Sequence, residues 1–280
     1  MSDQPFRFGV SLLSVASRSS WRDRVRAAED LGYDVLQVPD HLGMASPFPA
    51  LVAAADVTAM RLGTYVLNAG IVSPAYLARD VADVQRLTGG RLELGLGAGY
   101  VPAEFEAVGQ PFGAGGDRLA RLEATLAATR ELLLGEADQP LPPVMLAGAG
   151  DRMLRLAART ADIFSFSVFA GVTPGVAPEE AFARRVRVFR EAAGERLAAV
   201  ELNLFVAAVG ESADKLDLSV IRQASGLDDA QLSQLPGVLA GSPREIAGRL
   251  QRYRELYGIS YVSVLEPHMT AFAEVIKHLR

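Results

Sequence analysis

Eight short β-rich runs alternate with amphipathic helical stretches along this 280-residue chain, and that alternation limits its fold more than any other feature. A parallel strand needs a crossover, usually a helix, to return the chain to the same edge of its sheet, so a strand–helix rhythm calls for a parallel sheet. The runs lie near residues 6–12, 34–38, 62–68, 92–97, 144–147, 162–167, 200–207 and 260–265. Several are apolar at consecutive positions, as strands covered on both faces must be. Eight units predict a single (β/α)8 barrel domain over residues 1–280, with insertion loops at its C-terminal mouth. An open doubly wound sheet would more often stop at roughly five to seven strands.

Terminal signals mark the helices. Ser73-Pro74 opens one, Ser242-Pro243 with Glu245 reads as a capping box, and Gly32 and Gly89 follow helix ends. Leu119, Leu122, Leu126 and Leu133 share one helical stripe, as do Ile246, Leu250, Tyr253 and Tyr257, so each helix has a face to bury. Residues 100–116 and 168–178 read as longer irregular stretches after strands, where active-site loops belong.

Half of the residues are apolar and 22% are charged, enough for a large core and too little charge for a disordered chain. A net charge of -5 without a dense Lys/Arg run argues against nucleic acid or an anionic membrane as partner and leaves a small-molecule substrate. With no cysteine there is no disulfide or thiolate chemistry, and a cytoplasmic setting is expected. The polar residues 1–7 precede only a short apolar run, so neither a signal peptide nor a membrane span is expected there.

In such a barrel the residues just beyond each strand converge, and they are the candidates whatever the reaction. They are Asp40 and His41 after the second run, Asn68 at the end of the third, and Gly97, Ala98, Gly99 and Tyr100 after the fourth. Gly148, Ala149 and Gly150 follow the fifth, Ser165 and Ser167 end the sixth, and Glu266 and His268 follow the eighth. An imidazole beside a carboxylate can donate a proton near neutral pH, although an Asp-His pair can equally just cap a loop. Gly95, Gly97 and Gly99 form G-x-G-x-G, and bare glycines let a backbone approach a planar or anionic ligand. Neither this run nor Gly148-Ala149-Gly150 completes a dinucleotide fingerprint. The three histidines are scattered, which disfavours a metallohydrolase, and Lys215 and Lys277 lie outside the strand runs, which disfavours Schiff-base chemistry. No G-x-S-x-G elbow occurs.

The segment LGTYVLNAGIVSPAYLARDVADVQRLTGGRLELGLGAGY at 62–100, with VPDH at 38–41, PVMLAGAG at 143–150 and GSPREIAGRL at 241–250, resembles blocks of the luciferase-like monooxygenase superfamily. The branch it looks most like is that of oxidoreductases dependent on the deazaflavin coenzyme F420. That resemblance implies a (β/α)8 barrel, a ring system at its mouth, a non-prolyl cis peptide near Tyr65–Val66 against that ring, and a possible homodimer. It also implies residue roles. Asp40 would hydrogen-bond the ring, His41 would lie beside the hydride-carrying carbon, Val66 and Asn68 would contact the ring, and Ala98 and Gly99 would line its other side. Gly148, Ala149, Gly150, Arg152 and Met153 would hold the phosphate-bearing tail.

One departure stands out: Tyr100 occupies the place where the sugar-phosphate dehydrogenases of this group carry a glutamate base, and their phosphate-binding lysines have no counterpart. The resemblance therefore implies reduction of an unsaturated or carbonyl compound, with His41 or Tyr100 supplying the proton. A monooxygenase using reduced FMN on the same fold, and a barrel that binds cofactor without turnover, remain as alternatives.

Overall fold

In the computed structural model, which describes residues 5–135 and 140–280, seven of the eight runs become one strand each and the run at 62–68 becomes two. The polar stretch 1–7 thus lies mostly outside the described residues. The first half of the chain holds β1 (Arg7–Ser11), α1 (Arg18–Asp30), β2 (Val35–Val38), α2 (Pro47–Ala55), β3 (Arg61–Thr64), β4 (Leu67–Asn68), α3 (Pro74–Leu87), β5 (Leu92–Gly97), α4 (Pro102–Ala107) and α5 (Gly115–Leu134). Then follow β6 (Val144–Gly148), α6 (Asp151–Thr160), β7 (Ile163–Phe166), α7 (Pro178–Ala193), β8 (Glu201–Val206), β9 (Ala208–Gly210), α8 (Ser219–Ser225), α9 (Asp229–Ser233), β10 (Val238–Ala240), α10 (Pro243–Tyr257), β11 (Ile259–Leu265) and α11 (Met269–Ile276).

The main sheet has the order β3-β2-β1-β11-β8-β7-β6-β5-β4, and β3 pairs again with β5. With β3 and β4 counted as two halves of one stave, this is a (β/α)8 barrel. The chain divides into two compact units, Ser11–Glu29 with Val35–Leu146, and Met1–Val10 with Asp30–Asp34 and Ala147–Arg280.

In the unit containing β2 to β5, the strands pair in parallel with Val35 opposite Arg61, Leu62 opposite Leu92 and Leu94 opposite Val144. Between β3 and β4 the ladder lapses. Gly63 pairs with Glu93 and Leu67 with Leu96, so the broken stave carries one residue more than β5, a bulge. The gap contains a cis peptide between Tyr65 and Val66. Across it the Thr64 hydroxyl donates to the Gly95 carbonyl and accepts from the Gly95 amide, both at 2.9 Å, so neither backbone group is left unpaired. The helices behave as their stripes require. Leu122, Leu126 and Leu133 are buried on α5, and Pro74 opens α3 behind Ser73.

In the other unit β8 lies between β7 and β11, with Ser165 opposite Asn203 and Asn203 opposite Tyr261. The Ser165 hydroxyl donates to Asn203 Oδ1 at 2.7 Å and Asn203 Nδ2 donates to Ser263 Oγ at 2.8 Å. Ser165 is therefore part of a buried polar rung. Ser242 and Glu245 form the capping box of α10: each side-chain oxygen accepts from the other residue's amide, at 2.8 and 3.4 Å. One feature exceeds the sequence reading, a two-stranded parallel sheet of β9 and β10 that covers a satellite core of Val168, Leu218, Leu232, Leu235 and Val238. Its strands have three residues each, too short for a periodicity to register. His268 is hydrogen-bonded to the backbone at Ala207 and Val209, beside this small sheet. Among the described residues no helix is long and apolar enough to cross a membrane.

Candidate active site

Asp40 and His41 stand at the carboxyl end of β2, in a loop that turns back at once. The Met44 amide donates to the His41 carbonyl at 3.0 Å, and Gly43 takes a φ of +91°, which an L side chain would resist. Asp40 Oδ2 accepts from the Asn68 amide at 3.2 Å, tying the end of β2 to the end of β4. Burial raises the Asp40 pKa above the usual carboxylate value, and the nearby Glu104 charge adds to this, against the lowering effects of the Asn68 amide and His41.

Asn68 is buried, and its Oδ1 accepts from the Gly70 amide at 3.0 Å. Its Nδ2 is a buried donor without a hydrogen-bond partner. An orphaned amide donor of this kind costs about 1–3 kcal/mol, so it is a standing demand for an acceptor.

The glycine run of β5 is explained by what it packs against. A Cβ on Gly95 would stand 2.0 Å from the Thr64 carbonyl oxygen, one on Gly97 would stand 2.8 Å from Val66, and one on Gly99 would stand 2.3 Å from Asn68 Oδ1. Gly99 also has a φ of +75°. The run thus makes room for the bulged stave and for Asn68, whereas the sequence reading had it admit a ligand. Val66 and Ala98 are half-buried beside it.

The residue that sequence reading missed is Glu104. The stretch 100–116 is not wholly irregular, because Pro102 starts the six-residue α4 and places Glu104 in its first turn. Phe105 next to it is fully buried, packs against Gly70, where a Cβ would stand 2.5 Å from its ring, and meets Phe112 edge-on at 5.2 Å. That anchor presents the buried Glu104 carboxylate to His41, with Oε1 2.7 Å from Nδ1. Only the Pro at 102 signalled a helix here, and nothing in the local pattern signalled its partner, 63 residues away.

On the other side of the imidazole, Tyr100 OH lies 3.1 Å from His41 Nε2, the two rings meeting edge-on at 5.4 Å. The acceptor carboxylate fixes the assignment of the ring: Nδ1 carries a proton and donates to Glu104, and in the neutral ring Nε2 accepts from Tyr100. Partial burial and the Glu104 charge raise the Tyr100 pKa above 10.0, although the ring as a whole is 71% exposed and water moderates the effect. Glu104, His41 and Tyr100 form a hydrogen-bonded chain from buried carboxylate to solvent, and Asp40, Asn68 and Gly99 form a second cluster at the strand ends beside it.

In the other unit, Gly148, Ala149 and Gly150 make the turn from β6 into α6. Gly150 is the N-cap and is open to solvent, and a Cβ on Gly148 would stand 2.8 Å from the Met153 side chain, which is buried. Arg152 is exposed. Asp151 in the first turn of α6 is paired with Arg185 from α7.

A family model described as luciferase-like monooxygenase matches residues 5–217. The chain belongs to the luciferase-like monooxygenase family. Within that family it is 26% identical over 174 residues to the 5,10-methylenetetrahydromethanopterin reductase of Archaeoglobus fulgidus, covering 56% of this chain and 51% of the reductase. It is 31% identical over 166 residues to the 4-hydroxyprotoasukamycin monooxygenase of Streptomyces nodosus subsp. asukaensis, covering 56% of this chain and 43% of the monooxygenase. The matches thus span about half the length of these curated relatives. The solved coenzyme F420-dependent tetrahydromethanopterin reductase of Methanopyrus kandleri superposes with a TM-score of 0.75 at 18% identity, over 99% of this chain and 100% of that one, a likeness of fold. Luciferase-like relatives therefore include both reductases and monooxygenases.

Proposed function

We propose that this chain is an oxidoreductase that reduces a carbonyl or unsaturated compound with hydride from coenzyme F420, acting as one catalytic domain. The observation that carries the reading is the chain Glu104–His41–Tyr100, a proton path that ends at solvent beside a buried amide donor in want of an acceptor. The residues present fit a flavin-type ring, because Asn68 Nδ2 needs the kind of acceptor that a pyrimidine carbonyl provides, and Asp40 holds that asparagine in place. Val66, Ala98 and Gly99 offer it apolar and backbone surface. Gly148, Ala149, Gly150, Arg152 and Met153 would hold the phosphate-bearing tail, through open amides at a helix N-terminus and one exposed guanidinium.

When bound, the reduced deazaflavin supplies a hydride. The protein supplies the rest. Reduction of a carbonyl needs one proton on oxygen for each hydride on carbon, and His41 Nε2 or the Tyr100 hydroxyl is the donor. Glu104 holds the imidazole in one tautomer, and the exposed face of Tyr100 returns the proton from water.

A second reading, a monooxygenase using reduced FMN, is favoured by the 31% identity to a monooxygenase. Titration with F420 and FMN, each oxidised and reduced, separates the two. Binding of F420 with a rise in melting temperature, and its oxidation by substrate without oxygen uptake, is the expected result. Binding of FMN alone, with oxygen consumed in step with product, would replace this reading by the second.

A further inference from the structure

The loops around His41 and Tyr100 carry a belt of exposed apolar side chains. Leu42 is 63% exposed, Met44 42% and Val15 48%, and Tyr100 joins them. Their loops are joined by hydrogen bonds. The Ala45 amide donates to the Leu13 carbonyl at 3.0 Å, which binds the loop after β1 to the loop after β2, and Tyr100 is hydrogen-bonded to His41, next to Leu42. Isolated exposed apolar residues need no explanation, but four of them on hydrogen-bonded loops at the end of a proton path do.

The charges of the same loops point the same way. Asp40 and Glu104 place two carboxylates at the imidazole, a field that repels an anion. The nearby guanidinium groups are directed at loop carbonyls: Arg118 donates to Gly99 and Gly113, Arg121 to Gly70, and Arg24 to Ser14. Arg118 also lies 3.9 Å over the Phe112 ring.

We infer that the substrate of this site is an uncharged, largely apolar carbonyl or conjugated unsaturated compound, whose hydrocarbon body lies on Val15, Leu42, Met44 and the Tyr100 ring. The inference rests on the reading of His41 and Tyr100 as proton donors, and it deepens that reading by excluding phosphorylated and carboxylated substrates.

Two ketones with one apolar body test it: 2-acetylnaphthalene, and 6-acetyl-2-naphthoic acid, which adds a carboxylate. Equilibrium dialysis against the full chain is expected to give a Kd at least tenfold lower for the neutral ketone. The double variant Leu42→Lys with Met44→Lys is expected to erase that preference with an unchanged melting temperature and unchanged F420 affinity. Equal or tighter binding of the acid overturns the inference. So does binding of neither ketone, or a preference that survives the double variant. If sedimentation shows a wild-type dimer that the double variant dissolves, the belt is a self-association surface and the inference falls. Cofactor affinity on the same samples keeps the outcomes apart, because loss of F420 binding refutes the proposed function whatever the ketones do.

Discussion

Glu104 Oε1 lies 2.7 Å from His41 Nδ1, a buried carboxylate from one loop holding an imidazole from another. A carboxylate so placed selects the tautomer that faces the reacting group and offsets the charge of the protonated ring. Glu104→Gln keeps the size and an acceptor oxygen but loses the charge. We expect it to lower kcat by on the order of 10- to 100-fold, no more than the smallest contribution of a positioned proton donor, because the imidazole itself stays in place. KM and cofactor affinity should stay within about twofold in steady-state kinetics and fluorescence titration. A variant as fast as the wild type would reduce Glu104 to a packing residue.

Tyr100→Phe keeps the edge-on ring contact and removes only the hydroxyl. Burial and the Glu104 charge raise the tyrosine pKa, so the phenol retains its proton throughout the neutral and mildly alkaline range. The wild-type kcat should therefore show no Tyr100-dependent fall below pH 10, and the variant should be slower by on the order of tenfold at every pH in that range. A pH–rate profile of both proteins checks this.

Asp40 is a carboxyl whose folded pKa is raised, chiefly by burial, above the reference value of 3.8. The folded protein therefore binds this proton more tightly than the unfolded chain does, and stability falls as pH rises through the raised value. Asp40→Asn keeps an oxygen for the Asn68 amide and removes the buried charge. It should be more stable than the wild type at pH 7 and lose that advantage as the pH falls toward 3.8. Urea melts across that range decide the matter, and a variant that loses stability at pH 7 would contradict it.

The glycines of β5 should be unequal. Gly95→Ala drives a Cβ onto the Thr64 carbonyl oxygen, a backbone atom that cannot turn aside, and should cost roughly 3 kcal/mol or more. Gly97→Ala meets only a Val66 methyl and should cost roughly 1–2 kcal/mol. Gly99→Ala suffers both a positive φ and the Asn68 side chain and should weaken cofactor binding as well as folding. Thermal melts with and without F420 give the order.

The staves of the barrel were legible in the sequence as short β-rich runs, of which 144–147 is apolar at consecutive positions, while 92–97 and 259–265 are buried at nearly every position although Glu93, Ser260 and Ser263 interrupt their apolar residues. The α10 capping box was legible because its partners are three residues apart. Glu104 was not, since its meaning lies in a contact 63 residues distant, and a carboxylate in a Pro-led loop looks like any solvated one. The G-x-G-x-G run was visible, but its cause was not: the atoms that demand its missing side chains belong to Thr64, Val66 and Asn68 on another stave. Ser165 and His268 are candidates by their position at strand ends, yet the structure engages one with Asn203 and the other with the backbone of the small sheet.

Thr64 deserves its own reckoning, because one hydroxyl stands in for a missing peptide rung by giving to Gly95 and receiving from it. Valine has nearly the same outline and would leave an amide and a carbonyl stranded, while serine could still serve both. The fracture in this stave is thus spliced by chemistry rather than by shape, and natural variants at that position should be drawn from alcohols.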